Sequence, residues 1–292
     1  MTIASKINDL TPSQWLFRSK SVMRRTFGLG TDAHKVRKAF NKACKPPALC
    51  RDIVENFSKK NDVVFDPFAG TGGIILGAQM AGRKAVGCEL DPKQVAAYQE
   101  ACRQMSSLFS DHDPDAIKNC DFFKEYGTDP QTQASFVDFL FTDPPYFDID
   151  RRPKSSRWFK GKGSQQRPMQ PFEGCKFNDM GEWKAFMSKF AALAAVLVKD
   201  GRYLAYFMED VYLSGKYVFL THISADIMES QGWIPQGEYI WYNEGRRPGF
   251  FGFPSKMITN RTHTSLLFFV HPGKREKETN DERDKGTGTS HA

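Results

Sequence analysis

The sequence predicts a doubly wound α/β fold, three layers deep, with a mainly parallel seven-stranded sheet, and three observations carry that prediction. The first is the stretch 62–73, Asp-Val-Val-Phe-Asp-Pro-Phe-Ala-Gly-Thr-Gly-Gly. It is an apolar run that stops at an acid, then a turn with glycines at 70, 72 and 73, then a helical pattern. Strand, glycine turn and helix in that order bring backbone close to a ligand, and glycine permits the dihedrals such a turn needs. The second is the stretch 142–147, Thr-Asp-Pro-Pro-Tyr-Phe, after another apolar run. Two consecutive prolines cannot continue a sheet, so the strand ends there and presents Asp143 and Tyr146 at its carboxyl edge. The third is the alternation of helical and strand patterns along the chain.

In order, residues 1–40 read as an N-terminal extension whose aromatics, Trp15 and Phe17 among them, pack on the main domain. The main domain spans 41–272. Lys45-Pro46-Pro47 opens a helix in which Leu49, Ile53, Val54 and Phe57 recur at helical spacing, and proline is tolerated at a helix start because the first N–H has no partner there. Residues 63–65 form the first strand, 74–80 the first helix after the turn, and 84–88 the second strand. That strand ends at Glu89-Leu90-Asp91-Pro92, where Asp91 suits the N-cap of a helix over 93–108. Residues 116–120 are the third strand, ending at Asp121-Phe122-Phe123, and 136–141 the fourth. A helix over 182–198 carries a wide apolar stripe of Trp183, Phe186, Phe190, Leu193, Ala194 and Leu197, and Gly201 follows it. Strand 203–208, helix 223–232, strand 238–242 and strand 264–270 complete the sheet. Only a loop joins the last two strands, which predicts an antiparallel edge hairpin. Residues 273–292, charged and without an apolar run, read as a disordered tail.

Composition narrows the function classes. An apolar content of 40% with 13% aromatics is that of a globular protein. No apolar run is long enough for a membrane span, and the first residues lack the apolar core of a secretory signal. The six cysteines form no Cys-x-x-Cys pair, which argues against zinc and disulfide frameworks and makes a reducing cytoplasm the default. The net charge of +7 is compatible with a polyanionic partner.

Together, the glycine turn after Asp66 and the Asp143-Pro144-Pro145-Tyr146 element resemble the S-adenosylmethionine-dependent amino-methyltransferases that modify adenine N6 or cytosine N4 in DNA. The resemblance covers most of 45–272 and implies a Rossmann-like class I methyltransferase fold. It implies that Lys45 and Pro46 line the methionine end of the cofactor, and that Asp66, Pro67, Phe68, Ala69, Gly70, Thr71 and Gly72 wrap around it. Glu89, with Leu90 beside it, suits the two ribose hydroxyls, since a carboxylate accepts both. By the same resemblance Asp121 bonds the adenine amino group and Phe122 packs on its ring. No metal is expected.

The chemistry suits these residue types. An exocyclic amine is a poor nucleophile because its lone pair is delocalised into the ring. The Asp143 carboxylate and the Pro144 carbonyl each accept one N–H and favour a more tetrahedral nitrogen, while the two prolines keep both acceptors in place. Tyr146 offers a face on which an extruded base can stack, and Phe147 lines the same pocket. Direct displacement needs no covalent intermediate, so the cysteines need no catalytic role. Asp rather than Ser before Pro-Pro-Tyr favours adenine N6 over cytosine N4 within the family.

Recognition of double-stranded DNA falls to later insertions, at about 148–178 and 245–261. The first carries Arg151, Arg152, Lys154, Arg157, Lys160, Lys162 and Arg167 with Trp158 interleaved and no acid in between, which suits phosphates. The second carries Arg246 and Arg247. The bland alternative for each is a solvated surface loop. A cognate restriction endonuclease is the partner such an enzyme has in a restriction–modification setting; oligomeric state is open. The rival reading is an RNA methyltransferase acting on guanine N2 or adenine, which shares both motifs. That branch usually has an N-terminal RNA-binding domain, and the stretch before Lys45 is too short for one, which favours DNA. A binder that keeps only the fold is the least favoured alternative.

Overall fold

The structure is a computed structural model that describes residues 5–24, 44–105, 112–127, 135–147, 177–213, 215–242, 255–259 and 261–273. In chain order the elements are α1 (Pro12–Arg18), β1 (Val22–Arg24), α2 (Pro47–Phe57), β2 (Val63–Asp66), α3 (Gly73–Met80), β3 (Lys84–Glu89), α4 (Pro92–Met105), β4 (Ile117–Asn119) and α5 (Phe122–Tyr126). There follow β5 (Val137–Thr142), α6 (Met180–Leu197), β6 (Val198–Met208), β7 (Val211–Leu213), β8 (Lys216–Val218), α7 (Leu220–Ser230), β9 (Ile234–Tyr242) and β10 (His263–Val270).

The main sheet runs β1-β9-β10-β6-β5-β2-β3-β4. β5, β2, β3, β4 and β6 pair in parallel, while β10 is antiparallel to both β6 and β9. This is the expected Rossmann-like class I order with its edge hairpin, extended by one short strand. β1 adds in parallel to β9, Met23 opposite Trp241. Its three residues have no sheet pattern of their own; pairing with the edge of β9 creates the strand.

Burial explains the layers. Every residue of β5 is buried, as a central parallel strand covered on both faces requires. Leu140 joins the cluster under α6 and α7 with Trp183, Phe190, Leu197 and Trp233. Phe139 and Phe141 join the opposite cluster with Leu49, Ile53 and Phe57 of α2. A third cluster, with Tyr98, Val95 and Ile117, sits under α4. Among the described residues no helix is long and apolar enough to cross a membrane.

Three expectations change. The aromatics of the N-terminal segment do not pack inward: Trp15 and Phe17 are 41% and 64% exposed. The segment is instead held by polar contacts, with Arg18 paired to Glu55 at 2.7 Å and the Asn8 amide donating to the Asn56 carbonyl at 2.7 Å. The fifth strand starts at Val198 and passes through Gly201, whose φ of 70° the glycine accommodates, rather than starting at 203. Between β6 and α7 a small hairpin, β7–β8, appears that no hydrophobic period announced.

The position of α2 depends on a close approach to α3. A Cβ on Gly77 would lie 2.6 Å from Cys50 Cβ and 2.8 Å from the Pro47 carbonyl oxygen. Replacing Gly77 by Ala gains about 1 kcal/mol of helix propensity, against an overpacking cost of about 1–3 kcal/mol where backbone must shift. The backbone contact decides the sign: Gly77→Ala is expected to lower stability by about 1–2 kcal/mol, read as a lower urea midpoint with unchanged slope.

Candidate active site

β2 ends at Asp66 and the chain turns sharply. The turn is held by the Ala69 N–H on the Cys88 carbonyl at 2.9 Å and the Gly72 N–H on the Ala69 carbonyl at 2.8 Å. Gly72 has φ 82°, and a Cβ there would also lie 2.2 Å from the Tyr98 ring. A Cβ on Gly73 would meet the Lys45 carbonyl oxygen at 2.2 Å, so the small residues let the start of α2 lie against the turn. The turn, Lys45, the end of β3 and the start of α5 enclose a cavity of about 340 Å³. That lies within the range of roughly 300–1,000 Å³ usual for small-molecule sites.

The polar groups around it are already organised. Glu89 accepts the Gly70 N–H at 2.7 Å on one carboxylate oxygen and the Asp91 N–H at 2.8 Å on the other. Burial pushes its carboxyl upward, and these two bonds oppose that. Each oxygen keeps a lone pair for a further donor. Asp121 caps α5, accepting the Phe123 N–H at 2.9 Å. Phe122, Phe123 and Phe186 form an apolar wall beside it. A carboxylate for a diol, an acid beside an aromatic wall and a glycine turn fit the donor and acceptor set of S-adenosylmethionine.

The acceptor turn at the end of β5 meets this cavity through Asp143 and Pro145. Lys45 Nζ lies 2.5 Å from Asp143 Oδ2 and 4.7 Å from the centre of the Phe207 ring. The Tyr146 hydroxyl donates to Asp143 Oδ1 at 2.5 Å. On the far side, the Trp183 indole N–H of α6 donates to the Pro145 carbonyl at 3.1 Å, and Trp183 is fully buried. Each carboxylate oxygen of Asp143 therefore has one fixed partner and a remaining lone pair.

Of the residues singled out from sequence, Lys45, Asp66, Pro67, Phe68, Ala69, Gly70, Thr71, Glu89, Leu90, Asp121, Phe122, Asp143 and Pro145 all border the cavity. Pro46 and Gly72 shape the adjoining backbone instead, as the N-caps of α2 and α3. Three placements depart from expectation. Pro144 is buried and does not border the cavity. Lys45 directs its charge at the Asp143 carboxylate. Tyr146 and Phe147 are only 7% and 8% exposed and belong to the core cluster with Trp183, so Tyr146 presents no open stacking face; its ring packs where the double proline turns the chain inward. Arg151, Arg152, Lys154, Arg157, Trp158, Lys160, Lys162, Arg246 and Arg247 lie outside the described residues. Arg261, at the end of the second basic stretch, pairs with Asp210 at 2.7 Å. Sequence reasoning missed Cys44, Cys88, Cys120, Gln94 and Phe186 in the wall and Trp183 behind the turn. Burial pushes the Cys88 and Cys120 thiols up, which keeps them protonated and unreactive.

Asp66 is fully enclosed, and burial raises its carboxyl to about 7, with Asp143 and Glu89 adding smaller repulsion. The Thr142 hydroxyl at 2.6 Å and the Phe68 N–H at 3.1 Å oppose the shift. Because the folded value lies above the unfolded one, the contribution of Asp66 to stability is complete below the ordinary aspartate range and is lost as pH rises through about 7. Asp66→Asn cannot titrate. The variant is therefore expected to gain on wild type between pH 4 and pH 8, by an amount on the order of 4 kcal/mol, in denaturation midpoints measured across that range.

Residues 11–100 match a family model described as DNA methylase. The tRNA (guanine(10)-N2)-dimethyltransferase of Methanocaldococcus jannaschii is 32% identical over 114 residues, 38% of this chain and 31% of that protein. The tRNA (guanine(10)-N(2))-methyltransferase TRMT11 of Dictyostelium discoideum is 35% identical over 88 residues, 30% of this chain and 17% of that protein. The putative methylase YubD of Escherichia coli is 34% identical over 67 residues, 20% of this chain and 30% of that protein. The chain thus spans less than a third of the length of each of these relatives. These matches are to methylases and methyltransferases, and the cavity fits S-adenosylmethionine.

Proposed function

We propose that the chain transfers a methyl group from S-adenosylmethionine to the exocyclic amine of a base in RNA, with guanine N2 as the target class. The observation that carries the amine chemistry is the Asp143 carboxylate at the mouth of the cofactor cavity, fixed by Lys45 and Tyr146. Identity to tRNA guanine-N2 methyltransferases supports RNA over the DNA adenine that the sequence motifs put first. A guanine N2 amine carries two N–H donors, as an adenine amine does, so the acceptor pair suits both. The matched family description, DNA methylase, favours a second reading: adenine N6 or cytosine N4 in double-stranded DNA.

In either case the bound cofactor supplies an electrophilic methyl group. The chain's part is positioning. Glu89, Asp121 and the glycine turn hold the cofactor, while Asp143 and the Pro144 carbonyl accept hydrogen bonds from the amine's two N–H groups and aim its lone pair into the cavity. As the N–C bond forms and the S–C bond breaks, the nitrogen sheds one proton to water. The Lys45 ammonium and the Tyr146 hydroxyl hold the Asp143 carboxylate in place as an acceptor. Phe122, Phe123 and Phe186 keep the cofactor end dry.

The test is transfer from labelled cofactor to unmodified tRNA and, in parallel, to unmethylated duplex DNA, with nucleoside analysis of both. N2-methylguanosine in tRNA is the expected product, and Asp143→Ala should cut the turnover about 10²–10³-fold with cofactor affinity retained. N6-methyladenine or N4-methylcytosine in DNA would move the assignment to the second reading. Cofactor binding with no transfer to either polymer would overturn both.

A further inference from the structure

We infer that the β7–β8 hairpin and the first turn of α7 form a stacking platform for unpaired RNA bases next to the acceptor turn. The inference rests on the nucleic-acid reading above and extends it to a surface outside the catalytic motifs. β5 and β6 are parallel, with Thr142 opposite Tyr206, so both strands run out at the same edge of the sheet. Asp143 follows β5 there, and the hairpin follows β6 after two residues, Glu209 and Asp210. α7 begins at that edge and runs back along the sheet toward β9. Val211 and Leu220, at the two roots of the hairpin, are buried in the cluster that holds Tyr146, Phe147 and Trp183.

The root is rigid. Asp210 accepts from the Thr221 N–H at 2.9 Å and the Thr221 hydroxyl at 2.8 Å, and it pairs with Arg261 at 2.7 Å. What this anchored hairpin presents outward is a run of rings. Phe219 is 50% exposed, with the Tyr217 ring 4.9 Å and the His222 ring 5.2 Å away, centroid to centroid. An apolar ring left half in water at a position fixed from below costs burial that the core does not recover. Rings of this kind bind nucleobases through their faces, without regard to sequence, and RNA offers such faces in its loops and bulges. The exposed Lys216 supplies positive charge beside the rings. Asp226 and Glu229, further along α7, are exposed acids, which favours contact with bases over contact with a run of phosphates.

Phe219 and Tyr217 are not cavity residues, so their truncation leaves the cofactor site intact. The experiment measures the affinity of the full chain for a labelled short single-stranded RNA, a duplex RNA and a single-stranded DNA of the same sequence, for wild type, Phe219→Ala, Phe219→Leu and Tyr217→Ala, with cofactor affinity as the check on folding. Stacking predicts about a 10-fold weaker Kd for single-stranded RNA in both Phe219 variants. Leu keeps the apolar bulk and loses the face. Duplex RNA and cofactor binding should hold at wild-type levels. Unchanged single-strand affinity in Phe219→Ala overturns the platform while leaving the proposed function standing, as does rescue by Leu. A loss seen with single-stranded DNA alone overturns the RNA assignment. A wild-type chain that binds none of the three polymers overturns the functional reading itself, and the platform with it.

Discussion

Two consecutive prolines at the end of β5 impose the constraint on which the site depends. They supply no N–H, so the turn that presents Asp143 cannot be braced by its own main-chain donors. The bracing comes from side chains: the Trp183 indole on the Pro145 carbonyl, the Lys45 ammonium on the Asp143 carboxylate, and the hydroxyl of Tyr146, within the turn itself, on the same carboxylate. Two of these donors come from distant parts of the chain, which have to be in place. α6 holds Trp183 through its buried stripe with Met187, Phe190 and Leu197. Lys45 reaches Asp143 because the start of α2 can lie against the glycine turn.

The same arrangement resolves an electrostatic difficulty. Asp66, Glu89 and Asp143 all border one cavity, where neighbouring acids disfavour one another's ionisation, adding to the burial that raises the Asp66 carboxyl. Lys45 offsets Asp143 directly. Glu89 is met by two backbone N–H groups and Asp66 by one N–H and the Thr142 hydroxyl. Backbone donors cost little to preorganise, since the turn fixes them already. A cationic cofactor entering such a cavity meets acids that the fold has positioned and partly neutralised.

The fold was legible wherever a local pattern coincided with a layer. The apolar run before Asp66, the stripe from Trp183 to Leu197 and the unbroken burial of β5 each follow from the period of the element and the face it covers. β1 and β7–β8 were not legible, because three-residue strands carry too little pattern and exist through pairing with a distant partner. The outward rings of Trp15 and Phe17 misled in the other direction: apolar residues in a short helix need not face the core.

By itself the sequence determined the α/β class, the glycine turn after Asp66 and the end of a strand at Asp143, since glycine spacing and paired prolines constrain the backbone directly, before any distant contact forms. Only the tertiary structure decided where the charge of Lys45 points, that the Tyr146 ring is enclosed, that Trp183 holds the Pro145 carbonyl, and that Phe219 stands half in water near Tyr217 and His222. Those are contacts between residues far apart in the chain or placed by a hairpin's anchoring, and side-chain direction across such distances is set by packing, which no local spacing encodes.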